Sequence, residues 1–335
     1  MPTDYLRTAQ ELDRCVDVVS IQHEYGIWGG EDGESVIDFV RALGRPAVTT
    51  LHTVLRDPTD RQREILSELV DRSAATVVMS RSAAELLASS YGVDRRRVEI
   101  IPHGVPDLPL VDAETIKPGL GMTGHRVILS FGLLGPGKGY ELAIDALPAV
   151  VKKHPDVLYV IVGATHPDLV RRDGEAYRAE LIARAKARGV AAHVQFIDRF
   201  VGRVELTRWL EAADIFVTPY PNLSQIVSGT MSYAMGAGRA IVSTPYTYAS
   251  ELLADGRGVL VEPGAPDRFA EALERVLSDD ALRADLGARA HAYARKMIWS
   301  EVGAQYGRLF ARVAATTPSV LVPSATPTSR VAVNV

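Results

Sequence analysis

Residues 127–139 read Val127-Ile128-Leu129-Ser130-Phe131-Gly132-Leu133-Leu134-Gly135-Pro136-Gly137-Lys138-Gly139, an apolar run that breaks into four glycines and a lysine. Behind it, Tyr140, Ile144, Leu147 and Val151 recur at helical spacing. A strand end, a flexible turn, a cation and a helix start make a phosphate pocket, because helix-start N–H groups and an ammonium converge on one anion. Gly132 and Gly137-Lys138 also satisfy G-x4-G-K, but Gly139 stands where a nucleoside-triphosphatase needs a magnesium-binding Ser or Thr. A plain strand-to-helix turn with Lys138 in water is the remaining reading of the segment taken alone.

Working outward, strand and helix patterns alternate, the signature of parallel doubly wound sheets. The first half predicts strands at Val16–Ile21, Ala47–Leu51, Ala75–Met79 and Val98–Ile101, with helices at Glu34–Leu43, Thr59–Arg72 and Ser82–Tyr91. The second predicts strands at Arg126–Phe131, Leu158–Val162, Val194–Ile197, Ile215–Val217 and Ala240–Ser243. Pro102 to Gly124 is weakly patterned and rich in Pro and Gly, as linkers are. The resulting division is a first domain over 1–110, a linker over 111–124, a second domain over 125–298, a last helix over 299–315 and a disordered tail over 316–335.

At 335 residues, 47% hydrophobic and 23% charged, the chain has core enough for one large or two medium domains. A net charge of −4 without a long Lys/Arg cluster excludes nucleic acid as a main partner. The single Cys15 excludes an internal disulfide and fits a reducing cytoplasm. No run of eighteen apolar residues occurs and Met1 to Asp13 is polar, which predicts neither a spanning helix nor a signal peptide.

About ninety residues beyond the glycine turn comes Ser224-Gln225-Ile226-Val227-Ser228-Gly229-Thr230-Met231-Ser232-Tyr233-Ala234-Met235-Gly236-Ala237-Gly238. Together the two segments resemble the donor-binding half of GT-B glycosyltransferases, closest to the retaining family-4 enzymes, from about Val16 to Val313. That family carries G-R-L-x-x-x-K-G, then two glutamates eight positions apart followed by A-M-A-x-G and a strand. Gly132-Leu133-Leu134 with Lys138-Gly139 stands for the first signature; Gln225, Tyr233 and Ala234-Met235-Gly236-Ala237-Gly238 stand for the second. Three departures stand out: Leu133 replaces the diphosphate-binding arginine, Gln225 the glutamate that contacts donor-sugar hydroxyls, and Tyr233 the ribose-binding glutamate. The Thr230 to Ala234 stretch is also similar to the Thr-x-x-Tyr-Ala of glycogen and starch synthases.

The resemblance implies a GT-B fold of two Rossmann-like parallel-sheet domains with a cleft between them, and a glycosyl transfer from a nucleoside-diphosphate sugar to a saccharide or other hydroxyl acceptor with retention of configuration. It implies donor contacts at Gly132, Gly137, Lys138, Ser228, Gly229, Thr230, Tyr233 and Glu251. Arg199 either supplies the charge that Leu133 lacks or forms a surface pair. Catalytic positions are His52, at a strand end beside the reacting sugar, and Gln225; acceptor-side positions are His23, Glu24 and His103. No metal or other cofactor is expected, since this fold works without an Asp-x-Asp clamp, and His166-Pro167-Asp168 reads as a turn. The last helix, starting at Trp299, is expected to cross back and brace the first domain. Against the usual domain size, roughly sixty residues of the first domain are expected to be missing at its front, which would weaken transfer by a chain of this length. Two rivals remain at this stage: a nucleotide-sugar-binding protein that has lost catalysis, and a GT-B enzyme of other chemistry such as an epimerase.

Overall fold

The structure, a computed structural model, describes residues 2–316. It holds two parallel-sheet α/β units, as the alternating pattern predicts: 1–78 with 84–101 and residues from 304 onward, and 79–83 with 102–303. The tail expected from 316 onward lies, from residue 317, outside the described residues.

In the first unit, α1 (Pro2–Cys15) leads to β1 (Val19–His23), α2 (Ser35–Ala42), β2 (Ala47–Leu51), α3 (Asp60–Arg72), β3 (Ala75–Val78), α4 (Arg81–Tyr91), whose residues up to Ala83 group with the second unit, and β4 (Val98–Ile100). The strands lie in the order β1-β2-β3-β4, all parallel. Every residue of β2 and β3 is buried, because helices cover both faces of such a sheet. Thr59 caps α3 by accepting the N–H of Gln62, whose side chain in turn accepts the N–H of Thr59.

The second unit runs α5 (Ala113–Ile116), β5 (Arg126–Phe131), α6 (Tyr140–Lys153), β6 (Val157–Val162), α7 (Pro167–Asp173), α8 (Ala176–Ala187), β7 (Val194–Ile197), α9 (Arg203–Ala212), β8 (Ile215–Thr218), α10 (Gly229–Gly236), β9 (Ala240–Ser243), α11 (Thr247–Leu252), β10 (Val259–Leu260), α12 (Pro266–Ser278) and α13 (Asp280–Ala294). A last helix, α14 (Trp299–Ala315), places its residues up to Gly303 with this unit and those from Ala304 with the first. Tyr306 of α14 hydrogen-bonds Thr50 of β2 within that first unit (3.0 Å).

All six strands of the second sheet are parallel, in the order β10-β9-β8-β5-β6-β7. Alternation along them sorts the core: Ile128, Tyr159, Ile161 and Val217 pack under α6, α8 and α12, while Leu129, Val160, Phe216 and Ile241 pack under α9, α10 and α11. The order reverses between β5 and β8, and ligands of open parallel sheets bind outside the carboxyl ends of the strands at such a switch. The carboxyl end of β5 is the glycine turn; that of β8 leads into Pro219-Tyr220-Pro221.

Two close approaches shape that crevice. Gly139 adopts φ +64°, and a β-carbon there would stand 2.0 Å from the Pro219 carbonyl oxygen. Gly163 (φ +146°) meets the Gly132 carbonyl oxygen equally closely, at 2.0 Å from the built β-carbon position. The turn therefore lies flat against both neighbouring strand ends. Gly139→Ala should lower the free energy of unfolding by about 1–3 kcal/mol, the usual worth of a strained backbone position, as read by urea denaturation.

Candidate functional site

At the switch point the structure brings the two sequence signatures together. Thr230, in the first turn of α10, approaches Gly132, its Cγ2 3.6 Å from where a β-carbon would sit. Thr230 Oγ1 hydrogen-bonds Ser228 Oγ (3.1 Å) and the hydroxyl of Tyr220 (2.9 Å). Ser228 caps α10, its Oγ accepting from the N–H of Met231 at 3.4 Å. The first N–H groups of a helix have no partner within it, and the first turn of α10 holds no acidic residue to meet them. Lys138 Nζ lies 4.6 Å from the centre of the Tyr220 ring, and no carboxylate pairs with Lys138 among the described residues. A helix N-terminus, three hydroxyls hydrogen-bonded to one another and a cation with no carboxylate partner among the described residues thus gather at the switch point, next to the exposed Gly137.

Tyr233 stands one turn along α10, half-buried, its ring edge-on to His103 (6.0 Å, 71°) and to Phe131 (6.3 Å, 62°). His103 lies over the start of α10: a β-carbon on Gly229 would come within 2.8 Å of its Nε2. Its Nδ1 is 2.8 Å from the Gly104 carbonyl, and since a carbonyl only accepts, Nδ1 is the donor of that bond. Trp299 packs beside the same imidazole, 6.3 Å away. Gln225 turns its amide onto its own loop, donating to the Val227 carbonyl at 2.8 Å.

Two expected donor residues are engaged otherwise. Glu251 accepts from the N–H groups of Arg81 (2.9 Å) and Ser82 (3.0 Å) and from Ser82 Oγ (2.8 Å), capping the start of α4. Arg199 makes a two-pronged pair with Glu205 (2.5 and 2.8 Å) on the surface, the second of its two readings. Sequence reasoning missed two residues of this region. Tyr220 is one, in an unremarked Pro-Tyr-Pro. The other is Arg178, buried at the carboxyl ends of β6 and β7, where it contacts Thr165 Oγ1 (3.1 Å) and Glu175 (3.1 Å), pairs with Asp198, and leaves one terminal nitrogen without a partner. Its only signal in the sequence is the Glu175-x-x-Arg178 spacing, which fits a helix-surface pair just as well.

In the first unit the expected residues gather at the carboxyl ends of β1 and β2. His52 Nε2 hydrogen-bonds Gln22 Oε1 (2.8 Å), and the His52 N–H donates to the His23 carbonyl (2.9 Å). Glu24 accepts from Thr53 Oγ1 (2.5 Å) and from the Tyr25 N–H (3.0 Å). His23 is fully buried with neither ring nitrogen bonded, and burial, reinforced by nearby His52, brings its pKa down from 6.5 to about 4. His52 is lowered in the same direction by burial, with Glu24 opposing. Both rings are held toward the neutral form.

A family model for Glycosyl transferases group 1 matches residues 112–293, and one for Glycosyltransferase Family 4 matches residues 4–107. The chain is similar to a D-inositol 3-phosphate glycosyltransferase of Jonesia denitrificans, 29% identical over 280 residues that cover 76% of this chain and 63% of the relative. It is also similar to a phosphatidyl-myo-inositol mannosyltransferase of Mycobacterium tuberculosis, 29% identical over 288 residues that cover 83% of this chain and 71% of the relative. The chain thus spans less than two thirds of the Jonesia protein's length. Among solved structures it shares its fold with Anabaena Alr3699/HepE in complex with UDP, at TM-score 0.75 and 19% identity over 92% of this chain and 82% of the other. Sucrose-phosphate synthase of Thermosynechococcus elongatus gives TM-score 0.76 at 16% identity over 94% and 78%. These are GT-B structures.

The buried imidazole sets a pH dependence. Between pH 6.5 and about 4 the unfolded chain binds a proton at His23 that the folded chain refuses, so its contribution is whole above 6.5 and is lost as pH falls toward 4. Thermal melts should show wild type losing more stability than His23→Gln over that window, and parallel curves for the two proteins would overturn the assignment.

Proposed function

Because the chain belongs to the glycosyl transferases group 1 family, its second unit matching that family over residues 112–293, we propose that it moves a sugar from a nucleoside-diphosphate sugar to an acceptor hydroxyl with retention of anomeric configuration. The observation that carries the reading is Lys138, an ammonium without a carboxylate partner held beside the first turn of α10 at the switch point. In glycosyl transfer the bond from the anomeric carbon to the diphosphate breaks through an oxocarbenium-like state, and negative charge grows on the leaving phosphate. Preorganised donors that meet this charge lower the barrier, a factor of ten for each 1.36 kcal/mol. Lys138, the α10 N-terminus and the hydroxyls of Ser228 and Thr230 are such donors.

In this reading Tyr233 borders the nucleoside and Gln225 hydrogen-bonds donor-sugar hydroxyls as a neutral amide. His52 serves the reacting sugar, while His23, Glu24 and His103 serve the acceptor. The solved relative holding UDP supports a nucleoside diphosphate as the leaving group. The retaining course follows the family whose two signatures the chain resembles. The leaving charge is assigned to protein groups without an obligatory metal, so transfer should persist in EDTA. With one cysteine in the chain, we place it in the reducing cytoplasm. No helix of the described residues is long and apolar enough to cross a membrane.

Lys138→Ala should weaken binding of UDP or GDP far more than binding of the matching nucleoside, by about 1.5–3 kcal/mol, the worth of a charge-assisted hydrogen bond. Calorimetry showing equal losses would overturn the phosphate assignment. Tyr233→Ala should weaken nucleoside and diphosphate alike. Proton NMR of the first product formed from an α-linked donor should show an α-linked glycoside; a β-linked one would overturn retention.

A further inference from the structure

We propose that Tyr220 is a positioning residue of the donor site, whose ring carries the Lys138 ammonium and whose hydroxyl ties that ammonium's platform to Thr230 at the start of α10. The inference rests on the donor-site reading above and adds a device to it. The Tyr220 ring is itself fixed: it stacks on the buried Tyr246 ring (5.1 Å between centres, 19° between planes) and is 3% exposed. Its backbone carbonyl accepts from Thr244 Oγ1 (2.6 Å), and its hydroxyl meets Thr230 Oγ1 (2.9 Å). Tyr246 in turn hydrogen-bonds Thr218 at the end of β8 (3.3 Å), so the platform is anchored in the sheet. Lys138 Nζ sits 4.6 Å from the ring centre.

The physical point lies in what the ring does not do. A carboxylate in its place would hold the ammonium more strongly but cancel its charge and compete with a phosphate for it. The negative face of an aromatic ring attracts a cation while leaving it its full unit charge and its N–H donors. A long lysine side chain loses rotamer freedom when a ligand immobilises it, and a platform that already orders it removes part of that cost. With Leu133 in place of a second cation, the position of the one ammonium left on this turn matters more.

The test uses the full chain, titrated calorimetrically with UDP against uridine and with GDP against guanosine, the pair that binds more tightly being followed. Tyr220→Leu should lower the diphosphate-to-nucleoside affinity ratio about tenfold, whereas Tyr220→Phe, which keeps the ring, should hold the ratio within about twofold of wild type. A residue that only packed the loop would lower both affinities together, and an unchanged ratio in Tyr220→Leu would overturn the proposal. Should Tyr220→Leu fail to fold, progressively fluorinated phenylalanines at 220 keep the shape while draining the ring's negative face. The ratio should then fall stepwise with fluorine number, and a flat series would overturn the proposal. Lys138→Ala run alongside separates the two levels. A lowered ratio there with a normal one in Tyr220→Leu defeats only the platform, while an unchanged ratio in Lys138→Ala defeats the donor-site reading beneath it.

Discussion

The Pro219 carbonyl presses on the Cα of Gly139 closely enough that no β-carbon fits between them, and the chemistry of the second unit hangs from that contact. Lys138 and Tyr220 are the chain neighbours of these two residues. With the backbones in contact, the Lys138 ammonium reaches the Tyr220 ring. The same approach brings the end of β5 against the end of β8, across the point where the strand order reverses, so the loop after β8 delivers Ser228 and Thr230 to the glycine turn. A glycine at 139 is thus a geometric requirement of the site as well as of the turn.

Most of the fold was legible because burial on both faces makes parallel strands continuous apolar runs. Leu158–Val162 and Ala47–Leu51 announce themselves in this way, and the structure adds only Val157 to the first. β1 was placed too early, at Val16–Ile21, because apolar residues mark its start while the pairing with Ala47–Leu51 carries it on through Gln22 and His23. α1 escapes a reading by composition: its sequence is polar on average, and the apolar stripe of Tyr5, Ala9 and Leu12 that packs toward α2 is too sparse to stand out among its charged residues. β10 has two residues, too few for a periodicity. At the candidate site, Lys138, Ser228, Gly229, Thr230 and Tyr233 could be read because each belongs to a spaced signature. Tyr220 and Arg178 could not, since Tyr220 meets Lys138 and Arg178 meets Asp198 only where the sheet brings distant segments together.

The cations of the second unit divide by what neutralises them. Arg199 spends its charge on Glu205, and Arg178 shares its own between Glu175 and Asp198 while staying buried. Lys117, almost wholly buried, is matched by Asp214 at 2.8 Å. Lys138 alone among these four meets no carboxylate among the described residues. As the proposed donor site, such a composition would attract an anion without being a strongly basic surface, in keeping with the net charge of −4. The hydroxyls around it add hydrogen-bond donors whose direction adapts to the ligand, and none of them adds charge.

The strand order has a consequence for how such a chain comes off the ribosome. β5 is synthesised before β6 and β7, and can pair with β6 at once, yet its other edge stays bare until β8 appears more than eighty residues later. During that interval an apolar strand in the middle of the future sheet is an open template for other chains, the situation that chaperones exist to manage. The proposed anion site has no partial form, because its two sides are the two sides of that late junction. On the donor-site reading proposed above, nascent chains halted before β8 could not hold a nucleotide, and a ligand that later binds would reward only those molecules in which the junction has closed.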